Sequence, residues 1–88
     1  MEDKFENLRE QLALQEWPEV YLFKFIIENT PEKLAQATAL FDETSEINFH
    51  TSSNEKYVSV SVKEVMIDVD SVITKYEKAA LIKGIISL

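Results

Sequence analysis

The order in which hydrophobic periodicities follow one another is the strongest constraint on how this chain can fold. From residue 17 onward, apolar residues recur at the spacing of a strand, a helix, two strands, a helix and a final strand. The connections between these segments are short. Such an order predicts an α+β fold in which two helices cover one face of a four-stranded antiparallel sheet.

The first strand is predicted at residues 20–28 and is apolar on both faces, so we expect it at the centre of the sheet. A helix follows it, because Thr30 can cap a helix and Pro31 suits the first helical position. This helix is expected to continue to about Asp42. The strand face turned toward the helices is expected to carry Tyr21, Phe23, Phe25 and Ile27.

Two further strands are predicted at residues 46–51 and 56–66, where apolar and polar residues alternate. The segment between them, residues 52–55, has the composition of a turn. We expect Asn54 to adopt the positive φ of this turn, because asparagine tolerates that conformation better than most residues. The three alternating valines of the second of these strands predict one buried face and one open face.

A second helix is predicted after the third strand, capped by either Asp68 or Asp70. Residues 84–88 are expected to close the sheet as a fourth strand. With these elements placed, the βαββαβ order is that of a ferredoxin-like sandwich.

An N-terminal helix is predicted at residues 3–15 and is expected to end before Trp17-Pro18. One short helix is marginal alone, so it is expected to dock on the sheet or its edge, or to bind a partner. The domain organisation predicted is a helical extension, residues 1–16, followed by one ferredoxin-like domain, residues 17–88.

Two helices on one side of the sheet leave its other side open. Apolar residues on an open face favour a cover, which the N-terminal helix, a second subunit or another partner could provide. Alternation along the strands predicts which residues occupy this candidate interaction face: Leu22, Lys24, Ile26, Asn48, His50, Tyr57, Ser59 and Ser61.

The chain is acidic, with 9 Lys and Arg against 16 Asp and Glu, a formal net charge of −7. A field of that sign repels phosphate backbones and anionic lipids, so we expect neither nucleic acid nor a membrane as partner. The chain has no cysteine. This excludes a disulfide scaffold and thiol catalysis, and it agrees with a cytoplasmic location.

Residues that could carry chemistry are few and isolated. His50 is the only histidine, and no second ligand stands at a metal-binding spacing from it. Neighbouring acidic residues at helix ends are explained as caps and dipole partners. The single glycine, Gly84, cannot form a phosphate-binding loop. We therefore expect no enzyme, no catalytic residue, no metal and no cofactor, and a small enzyme using His50 with nearby carboxylates is the least favoured alternative.

Several short motifs together resemble the YbeD-like family of small uncharacterised bacterial proteins, a domain of unknown function. The resemblance covers residues 17–88 and implies a ferredoxin-like fold similar to ACT-type regulatory domains, which bind amino acids at subunit interfaces. The motifs are Pro18-Glu19-Val20-Tyr21, Phe23-Lys24-Phe25-Ile26, Ser52-Ser53, the alternating residues 57–62, Tyr76 and Gly84-Ile85.

The chain departs from this resemblance at two turns. The family's usual glycine in the hairpin corresponds to Glu55 here, which leaves Asn54 to form the turn. ACT domains that bind amino acids commonly have a glycine in the loop after the first strand, whereas residues 28–31 contain none. Close approach of that backbone to a ligand is therefore not expected.

Together these features favour a non-enzymatic regulatory or protein-interaction module. It is expected to act through the open face or a sheet edge, and to associate with itself or with a regulatory protein. The alternative is an ACT-like sensor of an amino acid or similar small-molecule effector. A thermal-shift screen against amino acids separates the two, because a ligand that binds only the native state raises the unfolding midpoint.

Overall fold

The computed structural model describes residues 5–42 and 45–88. These contain three helices and four strands, and the strands form one antiparallel sheet in the order β2-β3-β1-β4. The predicted α+β fold with a four-stranded antiparallel sheet is confirmed, and the arrangement is consistent with a ferredoxin-like plan. In chain order the elements are α1 (Glu6–Leu12), β1 (Glu19–Glu28), α2 (Pro31–Thr38), β2 (Glu46–Thr51), β3 (Tyr57–Met66), α3 (Val69–Ala79) and β4 (Ile86–Ser87).

The central pair of strands, β1 and β3, carries most of the core. They are matched over ten residues, from Glu19 opposite Met66 to Glu28 opposite Tyr57. Alternate residues of both strands are buried on one face, as expected from their periodicity. From β1 and β3 these buried residues are Phe23, Phe25, Ile27, Val58, Val60, Val62 and Met66.

Helices α2 and α3 pack against this apolar face. Ala37 of α2 and the buried stripe of α3 belong to the same core cluster as the strand residues. The Tyr76 ring on α3 lies 5.3 Å from Phe23 and 6.0 Å from Phe25, centroid to centroid. Burial, reinforced by a 3.0 Å hydrogen bond between the Tyr21 and Tyr76 hydroxyls, raises the pKa of Tyr76 above the usual range of tyrosine. The neutral hydroxyl is thus part of the core.

Helix α1 is shorter than predicted and lies beside α3. It begins at Glu6 and ends at Leu12, and the predicted start at Asp3 lies outside the described residues. Its Leu12 side chain joins the core cluster, and Arg9 Nη1 lies 2.6 Å from Asp70 Oδ1 at the start of α3. The Phe5 ring is 6.2 Å from Tyr76. Because these contacts are all on the helix side of the sheet, α1 provides no cover for the opposite face.

The N-terminus of α3 is capped by Asp68, which decides between the two predicted caps. Asp68 Oδ1 accepts a hydrogen bond from Ser71 N at 2.8 Å, and Ser71 Oγ lies 3.3 Å from Asp68 N, which donates to it. This reciprocal capping box satisfies two backbone donors that the helix itself leaves unpaired. Asp70 is instead the ion-pair partner of Arg9.

Helix α2 and strand β4 are shorter than predicted because tight turns replace part of each element. After α2 stops at Thr38, Leu40 N donates to Ala37 O and Phe41 N to Thr38 O, and these shorter-range bonds bring Phe41 into the core. The predicted fourth strand, residues 84–88, shrinks to two residues. Gly84 has φ 83° and Ile85 N donates to Ile82 O, so this segment turns before pairing begins.

The hairpin between β2 and β3 corrects the prediction for Asn54. The residue with positive φ is Glu55, at 60°. Asn54 holds the turn through its side chain instead, because its Oδ1 accepts hydrogen bonds from Ser52 Oγ at 2.9 Å and from Lys56 N at 3.1 Å. The position that needs a left-handed backbone in this turn is therefore residue 55.

Replacing Glu55 by glycine is expected to stabilise the chain. A non-glycine residue in the left-handed region costs roughly 1–2 kcal/mol, and the added freedom of glycine in the unfolded chain offsets part of that gain. We therefore expect the free energy of unfolding in urea to rise by about 0.5–1 kcal/mol. Glu55→Ala is the matched control, since alanine keeps the Cβ atom and should give little or no gain. Equal stabilisation by both variants would contradict the backbone explanation.

Candidate interaction face on the open side of the sheet

The strand register places all eight predicted face residues on the side of the sheet opposite the helices. Lys24 on β1 lies opposite Ser61 on β3, and Ser61 in turn lies opposite Asn48 on β2. Two residues away along each strand, the next cross-strand row consists of Ile26, Ser59 and His50. Leu22 lies two residues before Lys24 on the same side, and Tyr57 two residues before Ser59.

The same side carries four more apolar residues that the prediction did not include. Val20 and Val65 are cross-strand partners at one end of the sheet. Ile86 on β4 lies opposite Ile26, and Leu88 N donates to Lys24 O at 2.9 Å. The alternation along β3 continues to Val65, so its place on this side could have been predicted from the sequence. The places of Ile86 and Leu88 follow only from the pairing of β4 with β1.

Three charged residues complete this surface, which we call the open face. They are Glu28, Glu46 and Lys63, and Glu46 lies opposite Lys63. The open face thus consists of the eight predicted residues, the four added apolar residues and these three. Its two lysines and two glutamates balance, so the surface is formally neutral on a chain with a net charge of −7.

A shallow concavity of about 270 Å³ lies at the hairpin end of the open face. Ile26 and Ser59 form its floor as a cross-strand pair, and Ser52, His50 and Tyr57 surround them. It is wide open. Although His50 and two serines belong to it, the surface that its residues expose is almost entirely apolar. Apolar contact is therefore the main interaction that it offers.

A larger concavity of about 390 Å³ lies at the opposite end of the sheet. It is lined by four residues of the open face and by three others: Val20, Glu46, Lys63 and Val65, with Asp42, Ser45 and Glu64. Glu64 is located there, with its Oε2 3.8 Å from Lys75 Nζ. Lys75 Nζ also donates to Leu40 O and lies 5.0 Å from the centroid of the Phe41 ring. These contacts tie the end of α2 to α3, which is a structural role for the ion pair.

The outer edge of β2 is the second surface where apolar groups are accessible. Phe49 lies on the helix side of this strand but is half exposed. Together with Leu34, Asn29, Thr51 and Val58 it lines a concavity of about 160 Å³. Within the described residues, β2 pairs with β3 alone, so its other edge has no strand partner.

Residues 5–42 and 45–88 contain neither a group of metal-ligating side chains nor a membrane-spanning helix. In this part of the chain, no three His, Cys, Asp or Glu side chains are grouped so that they could hold a metal ion. Its helices are all too short or too polar to cross a bilayer.

The loop after β1, where ACT domains commonly have a glycine, has an ordinary backbone. No residue from Glu28 to Pro31 has a positive φ. Thr30 Oγ1 accepts a hydrogen bond from Lys33 N, so the loop serves as the cap of α2.

Comparisons of the chain with protein-family models, with curated proteins and with solved structures gave no match.

Proposed function

We propose that this chain is a ferredoxin-like, non-enzymatic protein-interaction module whose binding surface is the open face. One observation carries the proposal. Six of the ten exposed large hydrophobic side chains in the described residues lie on this one surface, each 46% to 64% exposed. Concentrated apolar surface of this kind marks an interaction site more often than scattered residues do. The six are Val20, Leu22, Tyr57, Val65, Ile86 and Leu88.

The shape and composition of the open face favour a protein partner. Small-molecule sites are concave, with volumes of about 300–1,000 Å³, and they enclose most of their ligand. The concavity beside His50 and Tyr57 is smaller than that, and both it and the 390 Å³ concavity at the other end of the sheet are wide open, so neither encloses a ligand. A flat surface that mixes aliphatic residues, a tyrosine and balanced charges is instead typical of protein interfaces.

The resemblance to the YbeD-like family supports a regulatory role for this interaction, in a cytoplasmic bacterial setting. A regulatory module needs a surface that another chain can occupy and leave. On this chain that surface is supported by the strand register and by side-chain exposure together, whichever protein occupies it.

Site-specific photo-crosslinking in the native cell tests this proposal. Leu22→p-benzoylphenylalanine places the reactive group on the open face, whereas Leu81→p-benzoylphenylalanine places it on an almost fully exposed residue after α3. We expect the Leu22 variant to give a discrete crosslinked protein band and the Leu81 variant to give none. If the Leu22 variant gives no band, or if both variants crosslink alike, the open face is not the binding surface.

A further inference from the structure

The charges on the chain are unevenly distributed. Lys24 and Lys63 balance Glu28 and Glu46 on the open face, so the whole formal charge of −7 belongs to the rest of the chain. Two copies of such a chain repel each other through most of their surface. Their neutral faces are the surfaces through which they can approach without that repulsion.

From this we infer that the occupant of the open face is a second copy of this chain, packed sheet against sheet about a twofold axis. The inference rests on the proposed function, because it names the partner of the same surface. A twofold interface requires that one surface complement itself. The register of β1 and β3 allows the complementarity of the open face to be examined residue by residue.

The twofold axis runs parallel to the strands, midway between β1 and β3. It places β3 of the second copy over β1 of the first. Each β1 residue therefore faces, on the second copy, the residue that is its cross-strand partner within one chain. Lys24 then faces the second copy's Ser61, and Glu28 faces its Tyr57. Leu22 faces its Lys63, whose aliphatic stem can lie along the leucine. Val20 and Val65 pack together at one end. No like charges are opposed in this aligned packing, which is a common geometry for two stacked sheets.

The size of the face fits a reversible dimer. The four strands are ten, ten, six and two residues long, so at about 3.3 Å per residue and about 4.8 Å per strand the face covers roughly 450 Å² on each copy. That gives a total of roughly 900 Å², in the range of weak and transient interfaces. We therefore expect a dimer that dissociates on dilution.

Analytical ultracentrifugation of the purified full chain tests this inference. The wild-type mass should rise from that of the 10.2 kDa monomer toward twice that value as concentration increases. Leu22→Lys places an ammonium group opposite the second copy's Lys63, and we expect it to weaken the dimer by at least about tenfold. Leu22→Glu removes the same leucine but faces Lys63 with an opposite charge, so it should weaken the dimer much less.

This order of effects separates the proposed packing from an effect of net charge alone. Simple net charge predicts the reverse, because Leu22→Glu makes the chain more acidic and Leu22→Lys makes it less so. Leu81→Lys, which adds the same charge away from the face, is the control and should leave dissociation unchanged. Circular dichroism checks that each variant is folded.

The other outcomes separate this inference from the proposed function. A wild-type chain that stays monomeric at high concentration, together with a crosslink from residue 22 to a different protein, overturns the dimer and leaves the interaction module in place. A dimer that responds alike to Leu22→Lys and Leu22→Glu overturns the packing proposed here. A monomer with no crosslink at residue 22 overturns both.

Discussion

Replacing Phe25 by alanine should lower the free energy of unfolding by about 3–5 kcal/mol, the usual cost of removing a buried phenylalanine side chain. Phe25 is 0% exposed, and its ring lies between Phe23, Phe41 and Tyr76, with centroids 6.0–6.2 Å away. Alanine would leave a cavity among aromatic rings that cannot collapse completely. Urea unfolding followed by circular dichroism measures the loss.

Phe49 provides the matched control for this prediction. It is also a strand phenylalanine, but it is 51% exposed at the edge of the sheet. Phe49→Ala should therefore cost far less than Phe25→Ala, and Ser59→Ala on the open face should cost little. If Phe25→Ala fails to fold, Phe25→Leu is the milder variant to compare with Phe49→Leu. Equal losses at the two phenylalanines would contradict the difference in burial between the centre and the edge of this face.

Replacing Leu12 by alanine should lower the free energy of unfolding by about 2–5 kcal/mol. The Leu12 side chain is 2% exposed and belongs to the same core cluster as the sheet residues. Its carbonyl also accepts a 3.0 Å hydrogen bond from Trp17 Nε1, which holds the end of α1 close to the start of β1. The substitution removes the only fully buried side chain of α1.

Leu14, two residues later and 87% exposed, is the control. Leu14→Ala should change the stability by a few tenths of a kcal/mol at most, as surface substitutions usually do. A loss at Leu12 no larger than that at Leu14 would contradict the packing of α1 against the core. A large loss at Leu12 alone would make α1 part of the same cooperative unit as the sheet.

The two central strands, β1 and β3, were predictable because their burial is periodic. The bounds of β2 are those predicted, and β3 begins one residue later than expected. In both β1 and β3 one set of alternate residues is buried, so the period of two is visible in the sequence and determines the faces. The eight candidate residues of the open face follow from the same period.

The turns and helix ends were less predictable, because competing local hydrogen bonds determine them. Asn54 has the better intrinsic preference for positive φ, but its side chain is used as an acceptor for Ser52 and Lys56, and Glu55 takes the strained conformation. In the same way, bonds to Ala37 and Thr38 end α2 early. Residue preferences cannot rank such alternatives, which differ by about 1 kcal/mol.

The position of α1 and the full extent of the open face depend on long-range packing. The spacing of Phe5, Leu8 and Leu12 predicts a helix with an apolar side, but it does not contain the information that α3 is the neighbour. Val65 extends a visible alternation, whereas Ile86 and Leu88 join the face only through the register of β4 on β1. The position of the open face could therefore be predicted from the sequence, but the contribution of β4 to its apolar surface could not.

The brevity of β4 also changes the character of the strand next to it. β4 pairs with β1 only at Phe25 and Ile26. In the described part of the chain, the first half of β1 consequently has a strand neighbour on one side only. A strand that is central by order is thus an edge over half its length, and local opening at β4 requires the loss of few hydrogen bonds. The unpaired margin of β1 therefore adjoins the open face, so local opening of β4 would expose more of the β1 backbone to whatever binds there.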